Sequence, residues 1–198
     1  MLSPRDLPNV LTMTRMLLVA PLVYLLLTER FAAALLLALV VGFSDWLDGA
    51  LARRFGWQSE FGGMLDPLAD KLMMISLFAT LAWLGALPWW LFVLAVLRDL
   101  VIVAGGLIYH YRVEHFHAEP TRLSKFNTLA QLVLSWTVLT HLAGLFVPRW
   151  AVDVLIWLVV VTVIATLFQY VWIWGRRAWR IRAAAGRTRI DSTPGSLR

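Results

Sequence analysis

The sequence contains no cysteine among its 198 residues, which excludes disulfides and thiolate metal sites. Charged residues are also scarce, at 15% of the chain, and only 12 are acidic against 18 that are basic. Hydrophobic residues instead make up 60% of the chain, whereas about 45–50% is typical of a soluble domain. The composition therefore favours a membrane protein. The net charge of +6 suits an anionic membrane surface better than nucleic acid, because no basic soluble domain is present to hold a duplex.

Apolar segments long enough to cross about 30 Å of hydrocarbon as helices recur along the chain. Backbone groups in lipid must be hydrogen-bonded within their own segment, so each segment is expected to be helical. The predicted fold class is an all-α integral membrane protein with six transmembrane helices. Residues 1–175 are expected to form one membrane domain, and residues 176–198 a basic tail that is partly disordered. The six segments cover residues 8–28, 31–53, 65–84, 88–110, 123–144 and 150–174.

Basic residues concentrate on one side of the predicted membrane domain. The N-terminus, the second and fourth connections and the tail carry most of the lysine and arginine, whereas the opposite side has only Arg30 and Arg149. This asymmetry predicts that both termini and the even-numbered connections lie in the cytoplasm. The N-terminus lacks the Arg- and Ser-rich pattern of an organelle transit segment, so a bacterial inner membrane is the expected location.

Acidic residues recur with helical spacing at the end of the second predicted helix. Asp45, Asp48, Gly49 and Ala52 stand at positions i, i+3, i+4 and i+7, so they form one stripe, and Arg53 follows. The small residues leave space beside the carboxylates for a nucleotide to approach the backbone. Arg53 is placed to contact a diphosphate.

A second acidic pair opens the third predicted helix, where Asp66 and Asp70 share one face at i, i+4. Asp66 is expected to be the N-cap, with Pro67 at the first helical position. Because the intervening connection is short, the two acidic faces should meet near the cytoplasmic surface. Carboxylate oxygens suit Mg²⁺, Mn²⁺ or Ca²⁺, and paired metal ions are a known device for phosphoryl transfer. The structural alternative is that the aspartates form ion pairs with Arg53, Arg54 and Lys71.

The complete pattern D-x2-D-G-x2-A-R-x8-G-x3-D-x3-D runs from Asp45 to Asp70 without a gap or substitution. It resembles the signature of the CDP-alcohol phosphotransferases, a family with six helices around this motif. The resemblance implies transfer of a phosphatidyl group from CDP-diacylglycerol to an alcohol, and a homodimer. It also implies two Mg²⁺ or Mn²⁺ ions held by the four aspartates, with Asp70 as the general base. The residues implied in CDP-lipid binding are Asn9, Thr12, Gly49, Ala52, Arg53 and Gly62.

A later segment, residues 120–128, bears on the identity of the acceptor alcohol. It resembles the corresponding segment of the eukaryotic-type cardiolipin synthases of this family. Asn127 stands where phosphatidylglycerophosphate synthases usually have a second lysine. One cation fewer fits the diester of phosphatidylglycerol better than the phosphate of glycerol 3-phosphate, which stays the alternative acceptor. Arg98 is expected to face the acceptor, although Arg98 and Asp99 would also suit a buried ion pair. The expected acceptor residues are Arg15, Arg98, Arg122, Lys125 and Asn127.

A small transporter or channel is the alternative outside the enzymes. Its charged groups should lie near the membrane midplane, on interrupted helices in corresponding halves of the chain. The charges of this chain cluster instead at one predicted end, and no internal repeat is evident. The sequence therefore favours the enzyme.

Overall fold

The computed structural model describes residues 7–55, 60–112 and 121–191, with side chains described for residues 12–44, 68–106 and 121–173 and for Arg176. All regular structure in these ranges is helical and forms six helices, which confirms the all-α prediction and the number of helices. The helices are α1 (Leu7–Leu27), α2 (Phe31–Phe55), α3 (Glu60–Trp83), α4 (Trp89–Arg112), α5 (Arg122–Leu142) and α6 (Arg149–Asp191).

Two helix bounds differ from the prediction. The α3 helix begins at Glu60, so Asp66 and Pro67 lie inside it, and the expected N-cap at Asp66 is wrong. The preceding residues extend the helix, although Pro67 has no N–H to donate within it. The α6 helix continues 17 residues past the predicted bound at 174, through the basic tail to Asp191. Alanine and arginine are strong helix formers, so this part of the tail needs no hydrophobic run to be helical.

Local chain chemistry fixes several helix ends. Gly85 follows α3 at a φ of 71° and Gly144 follows α5 at a φ of 80°, a left-handed conformation that glycine adopts without steric cost. Residue 86 then donates from its backbone N–H to the Leu81 carbonyl at 2.9 Å, as in a Schellman motif. The hydroxyl of Thr121 caps the start of α5 by accepting from the Ser124 N–H at 3.2 Å.

The hydrophobic core lies in the half of the bundle where α1 ends and α2 begins. Its members come from all six helices, and burying each large aliphatic side chain contributes about 1.5–3 kcal/mol. The core includes Leu22, Leu26, Ala38, Leu81, Leu91, Leu134, Leu139, Val159 and Val163. The motif aspartates lie toward the opposite half, so the core anchors the bundle without occupying the site.

Within the part of the chain that the structure describes, two helices are long and apolar enough to cross a membrane, by length and composition. They are the window Trp89–Gly106 in α4, with a mean hydropathy of 1.8, and Arg149–Ile173 in α6, with a mean hydropathy of 2.6. Only 17% and 28% of these windows are buried inside the bundle. Large apolar side chains such as Val154, Trp157 and Phe168 therefore lie on the outer surface. Such a surface is suited to lipid rather than to water.

Candidate active site

The four motif aspartates lie on two helices at matching depths. Asp45 and Asp48 lie on α2, ten and seven residues before its last residue, and Asp66 and Asp70 lie on α3, six and ten residues after its first. At about 1.5 Å per residue, these positions are about 9–15 Å from the helix ends that the connection joins. All four residues therefore lie about two to three turns from those ends, and their meeting in one site stays a prediction.

Of these four aspartates, only Asp70 has a described side chain. Its Oδ1 accepts a hydrogen bond from Nη1 of Arg15 at 2.8 Å, which joins α3 to α1. The Arg15 side chain is 7% exposed and the Asp70 side chain 59%. This ion pair orients one oxygen of the carboxylate while leaving much of the group accessible to a substrate. Arg15, an expected acceptor residue, thus lies directly against the expected base.

Several other expected site residues lie outside the described side chains. Of the CDP-lipid set, Thr12 is described, and it is buried on α1 one turn before Arg15. The other members of that set are placed by the backbone alone and stay predictions, as do three of the proposed metal ligands. They are Asn9, Gly49, Ala52, Arg53 and Gly62 for the CDP-lipid, and Asp45, Asp48 and Asp66 for the metal.

A cavity of about 260 Å³ opens beside Asp70 and Arg15. Over the described residues, α2 and α3 do not pack against each other. The α1 helix contacts both of them, and so does the α5 helix. The cavity lies between the four helices, and its wall away from the ion pair is mostly apolar. The lining includes Ala38, Val41, Met73, Leu77, Leu132, Trp136 and Leu139. A cavity with an ion pair on one wall and mostly apolar residues elsewhere suits an amphipathic molecule.

A second polar cluster joins four helices next to this cavity. The carboxylate of Asp99 on α4 accepts from Arg98 Nη1 at 2.8 Å and from Nζ of Lys71 on α3. Arg98 also donates from Nη2 to the Ser124 hydroxyl at 2.6 Å and from Nε to the Thr166 hydroxyl at 3.3 Å. The ion-pair alternative considered for Arg98 and Asp99 is therefore the arrangement present in the structure.

The other expected acceptor residues differ in their exposure to solvent. Arg122 and Lys125 are exposed at the start of α5, whereas Asn127 is fully buried. Its Oδ1 accepts from the Thr162 hydroxyl at 2.8 Å, so the side chain faces α6. Neither Arg98 nor Asn127 lines the cavity beside Asp70. The structure thus brings Arg15 to the base and Arg98 to the start of α5, but it does not gather the expected acceptor residues into one pocket.

Sequence reasoning missed most partners in the polar cluster. Lys71, Ser124, Thr162 and Thr166 were not assigned to the site, and neither was Gln131, which is buried one turn after Asn127. A signal was present in α5, where buried polar residues recur every three or four positions. This stripe consists of Ser124, Asn127, Gln131 and Ser135.

The acidic residues fit a divalent metal site by the chemistry of their donors. The four motif aspartates offer only hard oxygen ligands, which match Mg²⁺ and Mn²⁺. The Asp70 carboxylate is exposed enough to serve as a ligand beside its contact with Arg15. Among the described side chains alone, no three acidic or histidine residues come together. The other three motif aspartates fall outside that set.

The similarity to known proteins extends beyond the motif to most of the chain. The sequence model for CDP-alcohol phosphatidyltransferases matches residues 5–182. A protein of Drosophila melanogaster named probable cardiolipin synthase (CMP-forming) is 34% identical over 180 residues, which cover 83% of this chain and 56% of that protein. Cardiolipin synthase (CMP-forming) of Rattus norvegicus is 35% identical over 148 residues, 67% of this chain and 49% of that protein.

A bacterial relative carries a different name. The CDP-diacylglycerol–glycerol-3-phosphate 3-phosphatidyltransferase of Aquifex aeolicus is 33% identical over 128 residues, 63% of this chain and 70% of that protein. The chain spans about half the length of the fruit-fly and rat proteins. Because the family match covers most of the sequence and includes all four aspartates, the chain belongs to the CDP-alcohol phosphatidyltransferase family.

Proposed function

We propose that the protein transfers a phosphatidyl group from CDP-diacylglycerol to phosphatidylglycerol, which yields cardiolipin and CMP. The observation that carries this proposal is the uninterrupted motif from Asp45 to Asp70, whose aspartates lie on α2 and α3. The family match and the relatives named cardiolipin synthase support it. The exposed Asp70 carboxylate beside a mostly apolar cavity also supports it.

In the proposed reaction, Asp70 takes the proton from the acceptor hydroxyl as that oxygen attacks the lipid-side phosphorus. A new oxygen–phosphorus bond forms, the phosphoanhydride bond breaks and CMP leaves with the bonding electron pair. Arg15 holds the Asp70 carboxylate in place through the 2.8 Å contact. Such positioning of a base is a main contribution that a protein makes to this chemistry. Gly49, Ala52, Arg53 and Gly62 are proposed to contact the cytidine diphosphate, with Asn9 and Thr12 contributing from α1.

The residues proposed to hold the metal are Asp45, Asp48, Asp66 and Asp70. Bound there, two Mg²⁺ or Mn²⁺ ions would neutralise the charge on the transferring phosphates. The apolar cavity is proposed to take part of a lipid acyl chain while the headgroup lies at Arg15 and Asp70. The volume of about 260 Å³ lies below the roughly 300–1,000 Å³ of pockets that hold a drug-sized ligand, so it suits part of a chain rather than a whole lipid.

The simplest experiment that tests the proposal is release of CMP from CDP-diacylglycerol by purified protein, with and without phosphatidylglycerol. The expected result is CMP formation that depends on the acceptor, together with a cardiolipin product. A transporter or channel would release no CMP.

The protein is proposed to act as a homodimer, which light scattering of the detergent-purified sample would measure in the same preparation.

The choice of acceptor leads to a specific prediction. We expect phosphatidylglycerol to be used at least about tenfold more efficiently than glycerol 3-phosphate, a difference of about 1.4 kcal/mol. Asn127 is uncharged and buried against Thr162, so the described start of α5 presents only Arg122 and Lys125 as exposed cations. A phosphate monoester leaving water needs more neutralising partners than a diester does. Thin-layer separation of radiolabelled products measures the ratio.

Phosphatidylglycerophosphate as the dominant product would contradict the cardiolipin assignment and leave the family unchanged. Glycerol 3-phosphate is the second candidate acceptor because the Aquifex aeolicus relative is named for it. Lys125→Met should weaken either reaction through the acceptor. Arg149→Met, an exposed cation at the other end of the bundle, is the matched control.

We further propose that all six helices cross a bacterial inner membrane, with both termini and the active site facing the cytoplasm. The charge asymmetry of the connections supports this orientation. Single cysteines introduced as Ser59→Cys and Arg149→Cys are expected to react with an impermeant thiol reagent from opposite sides of the membrane. The chain contains no cysteine, so protein without an introduced cysteine should give no thiol labelling. Reaction of both positions from the same side of intact cells would show that the topology is wrong.

A further inference from the structure

One carboxylate ties together the helices around the proposed site. The Asp99 side chain is only 13% exposed, and it accepts from Lys71 of α3 through Oδ2 and from its neighbour Arg98 through Oδ1. Arg98 is itself 5% exposed and donates onward to Ser124 of α5 and Thr166 of α6. Asp99 thus links α3 to a buried polar network that spans α4, α5 and α6.

The α3 helix presents two adjacent stripes near Asp99. Consecutive helical residues point about 100° apart, so Asp70 and Lys71 occupy neighbouring stripes at the same depth. A rotation of α3 that withdraws Lys71 from Asp99 must also turn Asp70 relative to Arg15. The stripe toward the cavity consists of Asp70, Met73, Met74 and Leu77. The stripe toward α4 consists of Lys71, Met74, Ile75 and Phe78.

The ion pair is the directional contact in this part of the α3–α4 interface. The surrounding side chains Ile75, Phe78, Phe92 and Val96 are apolar, and apolar contacts tolerate small rotations because they have no preferred direction. Lys71 is 41% exposed, so the pair should contribute little to the free energy of unfolding. Its proposed role is instead to favour one arrangement of α3 over others. Because Lys71 directly follows Asp70 in α3, the arrangement that this pair favours also affects the direction of the proposed base.

We propose that Asp99 is a positioning residue that sets the rotation of α3, and hence the direction of the Asp70 carboxylate, through its ion pair with Lys71. The inference rests on the proposed role of Asp70 as the base. Asp99 contacts neither substrate nor reacting atoms, and acts only through Lys71. Arg98 fixes the position of Asp99 by binding its other oxygen.

The test compares Lys71→Met with Lys71→Arg in purified protein. Lys71 is 41% exposed, so its loss should leave the folded fraction unchanged. We expect Lys71→Met to lower kcat about tenfold or more, as small misplacements of catalytic groups do, while KM for CDP-diacylglycerol stays within about twofold. Lys71→Arg should restore most of kcat by renewing the pair. Arg30→Met, at an exposed position outside the site, is the control expected to match the parent.

A second measurement reports on rotation without using activity. Because the chain has no cysteine, Asp70→Cys gives a single thiol whose labelling rate depends on how α3 is turned. We expect Lys71→Met to change that rate several-fold, and to leave unchanged the rate of a thiol introduced as Val40→Cys on α2. Unchanged labelling at position 70 would overturn the inference, as would an unchanged kcat or a kcat that falls only in proportion to the folded fraction. A parent protein that releases no CMP would instead contradict the proposed function, and the labelling rates would still decide the role of Asp99.

Discussion

Replacing Asp70 with asparagine is expected to lower the rate of phosphatidyl transfer by about 10²–10⁴-fold, the range that a positioned general base contributes. Asparagine has nearly the same shape as aspartate, but its amide cannot take the proton from the acceptor hydroxyl. The amide oxygen can still accept from Arg15, which lies 2.8 Å from Asp70 Oδ1. The side chain is 59% exposed, so the change in the free energy of unfolding should stay within about 1 kcal/mol.

The Asp70→Asn experiment requires three measurements on one preparation. CMP release gives the rate, thermal unfolding gives the folded fraction, and titration with CDP-diacylglycerol gives donor affinity, which should be largely retained. The matched control is Asp153→Asn, an exposed aspartate on α6 near the other end of the bundle, which should behave as the parent does. A rate within a few-fold of the parent would show that Asp70 is not the base.

Helix positions could be predicted from the sequence wherever hydrophobicity decides them. The predicted segment 8–28 corresponds to α1 at Leu7–Leu27, and 123–144 corresponds to α5 at Arg122–Leu142, because polar or charged residues bound both apolar runs. The start of α3 and the end of α6 depend instead on helix propensity outside the apolar runs. A hydropathy argument carries no information about those residues.

The site residues could likewise be predicted only where neighbours in the sequence decide their position. Spacing along a single helix placed Asp66 and Asp70 on one face, because helical periodicity is a local property. The contact between Arg15 and Asp70 joins residues 55 positions apart, and that between Lys71 and Asp99 joins residues 28 apart. Such pairs depend on how helices pack, which a single sequence does not specify. Asn127 shows the consequence, since its expected direction toward the acceptor gave no hint of its bond to Thr162 on α6.

Removal of divalent metal is expected to reduce transfer to background, and Mg²⁺ or Mn²⁺ added in excess should restore it. The reason is electrostatic. The four carboxylates of the proposed site would carry four negative charges, and the diphosphate of CDP-diacylglycerol brings about two more. Each pair of like charges about 4 Å apart costs about 4 kcal/mol at the effective dielectric constant of a protein surface. The single positive charges of Arg15 and Arg53 cannot offset that repulsion, whereas two divalent ions balance the four carboxylates.

The defect caused by chelation should therefore differ in kind from that of Asp70→Asn. Without metal the donor itself should fail to bind, because the diphosphate would meet uncompensated carboxylates; with asparagine at position 70 the donor should bind and fail to react. Titration of CDP-diacylglycerol into protein treated with EDTA, and then into the same protein after Mg²⁺ is returned, measures the first effect directly. Full turnover in excess EDTA would show that the aspartates do not act through metal. Donor binding that survives chelation while turnover is lost would place the metal in the chemical step alone, with Arg53 and the small residues beside it holding the diphosphate.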